Sequence, residues 1–246
     1  MAYQSVFKRY ELKYLLTATQ KQRILQAMQP YMRLDKYGRT VIRNIYFDTD
    51  DYRLIRRSIE RPLFKEKLRM RSYGRASPGN DVFVEIKRKY NKVVYKRRVC
   101  MEDAQALRWL CDREYIAKPS QISGEINYFL DFYSGLKPKV FLSYEREAFY
   151  ATDGSDFRVT FDENILCRRD ALSLSAETYG TPLLEEGMTL MEIKCSGGVP
   201  LWLVQVLSRE HIYKTSFSKY GTAYEKTIFP QKIYLSGEVN YATNYI

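Results

Sequence analysis

Between residues 63 and 73, Lys65, Lys67, Arg69, Arg71 and Tyr73 occupy every second position, with Phe64, Leu68 and Met70 among the residues between them. Side chains of a β-strand point alternately to opposite faces, so this spacing builds one cationic row backed by a largely apolar one. The pattern recurs as Arg9, Glu11 and Lys13; Glu85, Lys87 and Lys89; Lys96 and Arg98; Tyr144 and Arg146; Arg158, Thr160 and Asp162; and Glu192 and Lys194. A single row of this kind reads as the solvated face of an antiparallel sheet. Many rows, dominated by Lys and Arg with isolated Glu, predict a barrel with a charged interior that holds a strongly anionic ligand.

The totals agree with an anionic partner but do not choose it. Forty Lys and Arg against 29 Asp and Glu give a formal net charge of +11 over 246 residues. Such an excess suits nucleic acid, anionic lipid or phosphate compounds. A hydrophobic fraction of 45% supplies enough apolar material for a core. Cys100, Cys111, Cys167 and Cys195 show no C-x-x-C spacing and His211 is the single histidine. A Cys/His zinc site and a secreted disulfide framework are therefore not expected, and Cys100 and Cys195 are expected as buried thiols. No stretch approaches the ~18 uncharged apolar residues of a membrane span, and residues 1–9 lack a signal core. A cytoplasmic compartment is the expectation.

Strands are expected at 6–15, 41–47, 63–73, 82–89, 92–99, 139–149, 156–162 and 189–195. Thr17 and Gln20 form a capping-box pattern that opens a helix to about residue 31, on which Lys21 reads as a solvated residue. Asp48-Thr49-Asp50-Asp51 starts a basic helix ending before Pro62. Residues 102–136 read as two helices broken near Pro119, and residues 168–187 as a short helix plus loop. Pro200 opens a helix to about His211, and a final helical segment covers 216–228 before an aromatic, polar tail. No repeat or linker divides the chain, which predicts one domain over residues 1–246. The fold class is α+β.

Three carboxylates share a face with a lysine two residues on: Glu11 with Lys13, Glu85 with Lys87, and Glu192 with Lys194. That arrangement lets a carboxylate hold a divalent cation while an ammonium grips phosphate, as phosphoryl transfer requires. Glu192, Glu11 and Glu85 are therefore the candidate metal ligands. Arg9, Lys67, Arg98 and Tyr144 belong to the same rows and are candidate substrate contacts. P-loop, dinucleotide-binding and kinase motifs are absent from the sequence, so any nucleotide phosphate must be held by strand side chains.

The ordered motifs resemble a known family. Arg9-Tyr10-Glu11-Leu12-Lys13-Tyr14, Ile45-Tyr46-Phe47-Asp48-Thr49, Lys67-Leu68-Arg69-Met70-Arg71-Ser72-Tyr73 and Phe83-Val84-Glu85-Ile86-Lys87 are followed by Tyr144-Glu145-Arg146, Arg158-Val159-Thr160-Phe161-Asp162, Met191-Glu192-Ile193-Lys194 and Phe217-Ser218-Lys219-Tyr220. This series is similar to the catalytic domain of the vacuolar transporter chaperone (VTC) family, polyphosphate polymerases among the CYTH-like triphosphate tunnel metalloenzymes. The resemblance implies an eight-stranded antiparallel β-barrel, the triphosphate tunnel, with flanking helices and a Mn²⁺ or Mg²⁺ cofactor. It implies ATP or triphosphate and inorganic polyphosphate as ligands and leaves room for a membrane-protein partner. Nucleic acid is not expected, although 22 tyrosines keep that alternative open.

Carried over by motif, Lys13, Arg69, Arg71, Lys87, Lys96, Arg146 and Arg158 would grip phosphates. Glu192 would be the main metal ligand, and Lys194 and Lys219 would line the tunnel. An arginine of the 53–57 segment, Arg57 or equally Arg56, would join them. One departure bears on activity. Triphosphatases and cyclases of this superfamily open with Glu-x-Glu-x-Lys, and Arg9 stands at the first Glu position. Fewer carboxylates favour holding a polyanion over hydrolysing it. The expected function is polyphosphate polymerase, with a triphosphatase or a non-catalytic polyphosphate-binding module as alternatives.

Overall fold

The structure is a computed structural model that describes residues 6–91, 93–114 and 119–230, and of residues 6–9 the backbone only. Its strands are β1 (Val6–Leu16), β2 (Met32–Leu34), β3 (Thr40–Asp48), β4 (Phe64–Tyr73), β5 (Asp81–Tyr90), β6 (Val93–Glu102), β7 (Lys137–Ala151), β8 (Arg158–Arg168), β9 (Thr181–Pro182), β10 (Thr189–Cys195) and β11 (Lys214–Thr215). Its helices are α1 (Ala18–Met28), α2 (Arg53–Ile59), α3 (Asp103–Asp112), α4 (Gln121–Phe132), α5 (Leu201–Arg209) and α6 (Lys219–Ala223), the last running into a π-helical turn (Tyr224–Ile228). Eight long strands follow one another as β7-β3-β4-β5-β6-β1-β10-β8, and β8 pairs with β7 as well, so the antiparallel sheet curls into a tunnel. β2, β9 and β11 add short pairings to β7, β8 and β1.

Alternation sets what faces each way. Leu68, Met70, Val84 and Ile86 point outward and bury against Trp109 and Leu110 of α3 and Phe129 and Leu130 of α4. On the opposite side Val159, Phe161, Met191 and Ile193 meet Ile24 and Met28 of α1 and Leu203 and Val206 of α5. The third cluster differs in kind. Val140 and Leu142 share a face with Tyr144 and Arg146, because all lie at even positions of β7. They pack against Ile55 of α2 and against Tyr220, Ala223 and Tyr224. One zone of the inner wall is therefore apolar and filled by helix, and the remainder carries charge.

Two local devices fix the helices at this inner zone. Asp48, fully buried, accepts backbone N–H groups of Thr49 (2.9 Å), Leu54 (2.9 Å) and Ile55 (3.0 Å), and the Tyr220 hydroxyl (2.9 Å). It thereby caps α2 and ties α6 to it. Tyr220 stacks on Tyr46 of β3 at 4.7 Å between ring centroids.

Several expectations needed correcting. No helix forms within residues 168–187. Arg168 donates to the carbonyls of Asp170 (3.1 Å), Ala171 (3.0 Å) and Tyr179 (3.2 Å), while Arg43 donates to those of Leu174 (3.1 Å) and Ala176 (2.5 Å). Guanidinium groups satisfy carbonyls that a helix would have paired internally, so the segment is an arginine-pinned loop. The helix expected from residue 49 starts at Arg53, after Tyr52 adopts a left-handed φ of 62°. The last helix begins at Lys219 and turns π-helical, and α1 ends at Met28. The capping box of Thr17 and Gln20 is present. Cys195 is buried, but Cys100 is only half-buried. The tail beyond residue 230 lies outside the described residues. No described helix is long and apolar enough to cross a membrane.

Candidate functional site

Glu85 of β5 sits with no solvent exposure and is clamped by cations from the two flanking strands, β4 and β6. Arg69 reaches it through Nε (2.8 Å) and Nη2 (2.7 Å), and Lys96 of β6 through Nζ (3.2 Å). Register explains the contacts: Glu85 lies opposite Arg69 on β4 and Arg98 on β6. Arg71 turns mainly elsewhere, donating to Asn44 Oδ1 (2.9 Å) and the Tyr144 hydroxyl (3.0 Å). Arg69 also donates to the Tyr46 hydroxyl at 2.9 Å. Burial pushes Glu85 up, but Arg69, Arg71 and Lys96 outweigh it and hold the carboxyl well below its ordinary range. Burial lowers Lys96 to about 8, against Glu85 and with help from Arg71 and Arg69.

Asp162 of β8 and Glu192 of β10 form a second centre. Asp162, unexposed, takes both Nε and Nη2 of Arg146 at 2.6 Å and Lys219 Nζ at 2.5 Å. Glu192 accepts from Lys194 (2.7 Å), Lys219 (3.0 Å) and Arg146 (3.3 Å), with Lys13 at 3.6 Å. Lys13 in turn lies 3.3 Å from Glu11, which holds Lys87 at 3.0 Å. Burial opposes ionisation of Glu11, Asp162 and Glu192, yet these cations keep all three below the usual carboxylate range. Burial lowers Lys194 to about 8, although Glu192 pulls the other way. For Lys219 the balance reverses: burial would lower it, but Asp162 and Glu192 raise it above an ordinary lysine. Buried charges persist only when paired this closely.

The structure thus gathers Lys13, Arg69, Arg71, Lys87, Lys96, Tyr144, Arg146, Lys194 and Lys219 with Glu11, Glu85 and Glu192 on the inner wall. Lys67 joins them, donating to Ser218 Oγ at 3.1 Å. Arg98 lies over the Phe83 ring at 4.5 Å, and Arg158 over Tyr150 at 4.6 Å. The Arg158 Nε is buried and has no hydrogen-bond partner among the described residues. Arg57 is not brought into the ionic cluster; it is exposed on α2, beside Lys65, Glu66 and Tyr133. Arg9 occupies β1 opposite Val94, and its side chain lies outside the described residues.

Asp162 escaped selection as a site residue, although its place in the Arg158-Thr160-Asp162 row carried the signal. Asn44 and Tyr46, which orient the arginines, sit in a strand that reads as apolar and gave none.

The candidate metal ligands separate. Glu85 belongs to the arginine clamp, while Glu192 shares its surroundings with Asp162 and, through Lys13, with Glu11. Among the described residues no group of three or more His, Cys, Asp or Glu is placed to hold a metal. Asp162 and Glu192 nevertheless converge on one cation, and two hard carboxylates so placed suit a divalent ion.

An antiparallel strand tunnel with a cation-rich inner wall defines the CYTH-like triphosphate tunnel fold. The similar solved structures bear this out. An adenylate cyclase candidate from Bacillus halodurans aligns with a TM-score of 0.55 at 15% identity, covering 87% of this chain and 96% of that one. HpAC1 from Hippeastrum, an adenylyl cyclase candidate described as having a dominant triphosphatase activity, aligns with a TM-score of 0.51 at 15% identity, covering 96% and 100%. Within that fold, residues 8–228 match the VTC domain, and the chain belongs to the VTC domain family. No curated protein sequence matches it.

Proposed function

We propose that the protein is a metal-dependent polyphosphate polymerase, transferring the γ-phosphoryl group of ATP to a polyphosphate chain inside the tunnel. The observation that carries this reading is the state of the lumen carboxylates. Glu11, Glu85, Asp162 and Glu192 each lie within 3.0 Å of an ammonium or guanidinium group, so none of the four is left free to take a proton from water. Hydrolysis needs either such a base or a metal-bound hydroxide to supply its nucleophile. The terminal oxygen of polyphosphate is already an anion and needs neither.

Arg69, Arg71, Arg146, Arg158, Lys13, Lys87 and Lys194 would bind the phosphate oxygens and align donor and acceptor, which is most of what phosphoryl transfer demands of a protein. Arginine offers paired N–H groups for this, and lysine a point charge. The β–γ anhydride bond breaks, the terminal oxygen of polyphosphate bonds to the γ-phosphorus, and ADP leaves with the bonding electron pair. Glu192, with Asp162 as second carboxylate, would hold Mn²⁺ or Mg²⁺, which when bound neutralises charge on the phosphate oxygens.

The test is incubation of purified protein with ATP and Mn²⁺, followed by a gel for long polyphosphate and an assay for ADP. Chain growth with matching ADP release is expected, and Glu192→Gln is expected to lose it while keeping a single cooperative melting transition. Phosphate release without chain growth would identify a triphosphatase. Tight binding of polyphosphate without turnover would identify a binding module.

A further inference from the structure

Asp162 Oδ2 and Glu192 Oε1 converge on one place, and an ammonium holds it. Lys219 Nζ lies 2.5 Å from Asp162 Oδ2 and 3.0 Å from Glu192 Oε1, over the Tyr144 ring at 4.5 Å from its centroid. Every oxygen of the pair faces a cation: Arg146 reaches both Asp162 oxygens and Glu192 Oε2, Lys194 the same Glu192 oxygen, and Lys13 lies near Glu192 Oε1. A divalent ion binds a carboxylate oxygen at roughly 2.0–2.2 Å. It cannot sit there beside an ammonium hydrogen-bonded to the same oxygens, since like charges at such separation in a buried wall repel strongly.

We infer that Lys219 is a placeholder cation: it fills the metal seat between Asp162 and Glu192 in the anion-free protein and yields it only when a triphosphate binds. This rests on the triphosphate reading above. Phosphate oxygens compete for Lys219, Lys194 and Arg146, and each donor drawn to phosphate exposes a carboxylate oxygen. The exchange is local. Ser218 caps α6 by accepting from Gly221 N at 3.2 Å, and Asp48 holds Tyr220, so the backbone on either side of Lys219 is fixed while its side chain turns. The seat and the anion site are then coupled, and the coupling is reciprocal. Free metal binds weakly, free triphosphate binds to cations that must leave carboxylates, and the two together bind best. Lys219 is on this account a positioning residue for the metal.

Binding, not turnover, tests it. Mn²⁺ binding to the anion-free protein is read by electron paramagnetic resonance, and tripolyphosphate binding without metal by calorimetry. Lys219→Met is expected to bind Mn²⁺ about tenfold or more tighter than wild type without anion, within the usual span of coupling between sites. Glu192→Gln is expected to bind metal-free tripolyphosphate more tightly than wild type, because its cations are released, and to lose the gain that Mn²⁺ gives wild type. Stoichiometric Mn²⁺ binding by anion-free wild type at the affinity of Lys219→Met overturns the proposal. So does metal-free tripolyphosphate binding by Glu192→Gln that is equal to wild type or weaker, a result obtainable even if Lys219→Met fails to fold. Failure of wild type to bind tripolyphosphate under any condition overturns the functional reading, and the placeholder role with it.

Discussion

Lys96 and Lys194 carry charges that their surroundings weaken. Each is lowered to about 8 from an ordinary 10.5, first by burial and then by neighbouring guanidinium groups. Between these values the unfolded chain binds more protons than the folded one, so stability rises as pH climbs through about 8 toward 10.5. Over the same window the lumen loses positive charge. Tripolyphosphate affinity is therefore expected to fall between about pH 7 and 9 while the urea midpoint rises. Calorimetry and urea titration across this range check both signs, and Lys96→Met should flatten each curve. Much of the inner wall was legible at this scale, because alternation alone assigned Arg69, Arg71, Glu85 and Glu192 to one face. Which carboxylate meets which cation was not, since partners such as Asp162 and Arg146 come from strands whose register no single row records.

At the level of elements, the site depends on a joint distant from any phosphate ligand. Asp48 caps α2 and holds Tyr220, and Tyr220 follows Lys219 directly. Asp48→Ala is expected to cost about 2 kcal/mol by orphaning backbone donors of α2. It should also weaken tripolyphosphate binding, since Lys219 loses its fixed base. Chemical denaturation and calorimetry together check this, and a stability loss with unchanged binding would leave α6 independent of the joint. Asp48-Thr49 reads in the sequence as a helix start, which it is, but its link to a residue 172 positions away could not be seen there. Lys21 shows the same limit. It reads as a solvated helix residue, yet it bridges Glu147 (3.0 Å) and Glu163 (2.9 Å), docking α1 against β7 and β8. The exposed Arg23 is the sounder control for any charge-removal experiment. Side-chain arginines, not local periodicity, set the course of residues 168–187, so no local pattern in the sequence records it.

Across the whole molecule the inner wall is not uniform along its length. Lys65 pairs with Lys89 and Lys67 with Lys87 across β4 and β5, so four ammonium groups crowd one end of these strands. Burial first, and then mutual repulsion, lowers Lys65, Lys67 and Lys89. At the other end Arg71, Arg98 and Arg158 stand among Tyr73 and Tyr150. Lysine point charges suit a sliding polyanion, whereas arginine forks fix individual phosphates. Replacing both Lys65 and Lys89 by Gln is accordingly expected to weaken binding of long polyphosphate several-fold more than that of tripolyphosphate, with a shallower salt dependence. Titration of both ligands at two salt concentrations checks the difference; equal losses would place neither lysine on the chain's path.

The two-faced strands have a consequence for assembly. Outward positions such as Leu68, Met70, Val84 and Ile86 are apolar, and inward ones such as Arg69, Glu85 and Lys87 are ionic. A slip of one residue along any of these strands would send its ions into the hydrophobic layer and its hydrocarbon into the lumen at once. Each misaligned ring is thereby penalised on both sides of its wall. The tunnel proofreads its own closure, and the residues that do the checking are those proposed to hold phosphate.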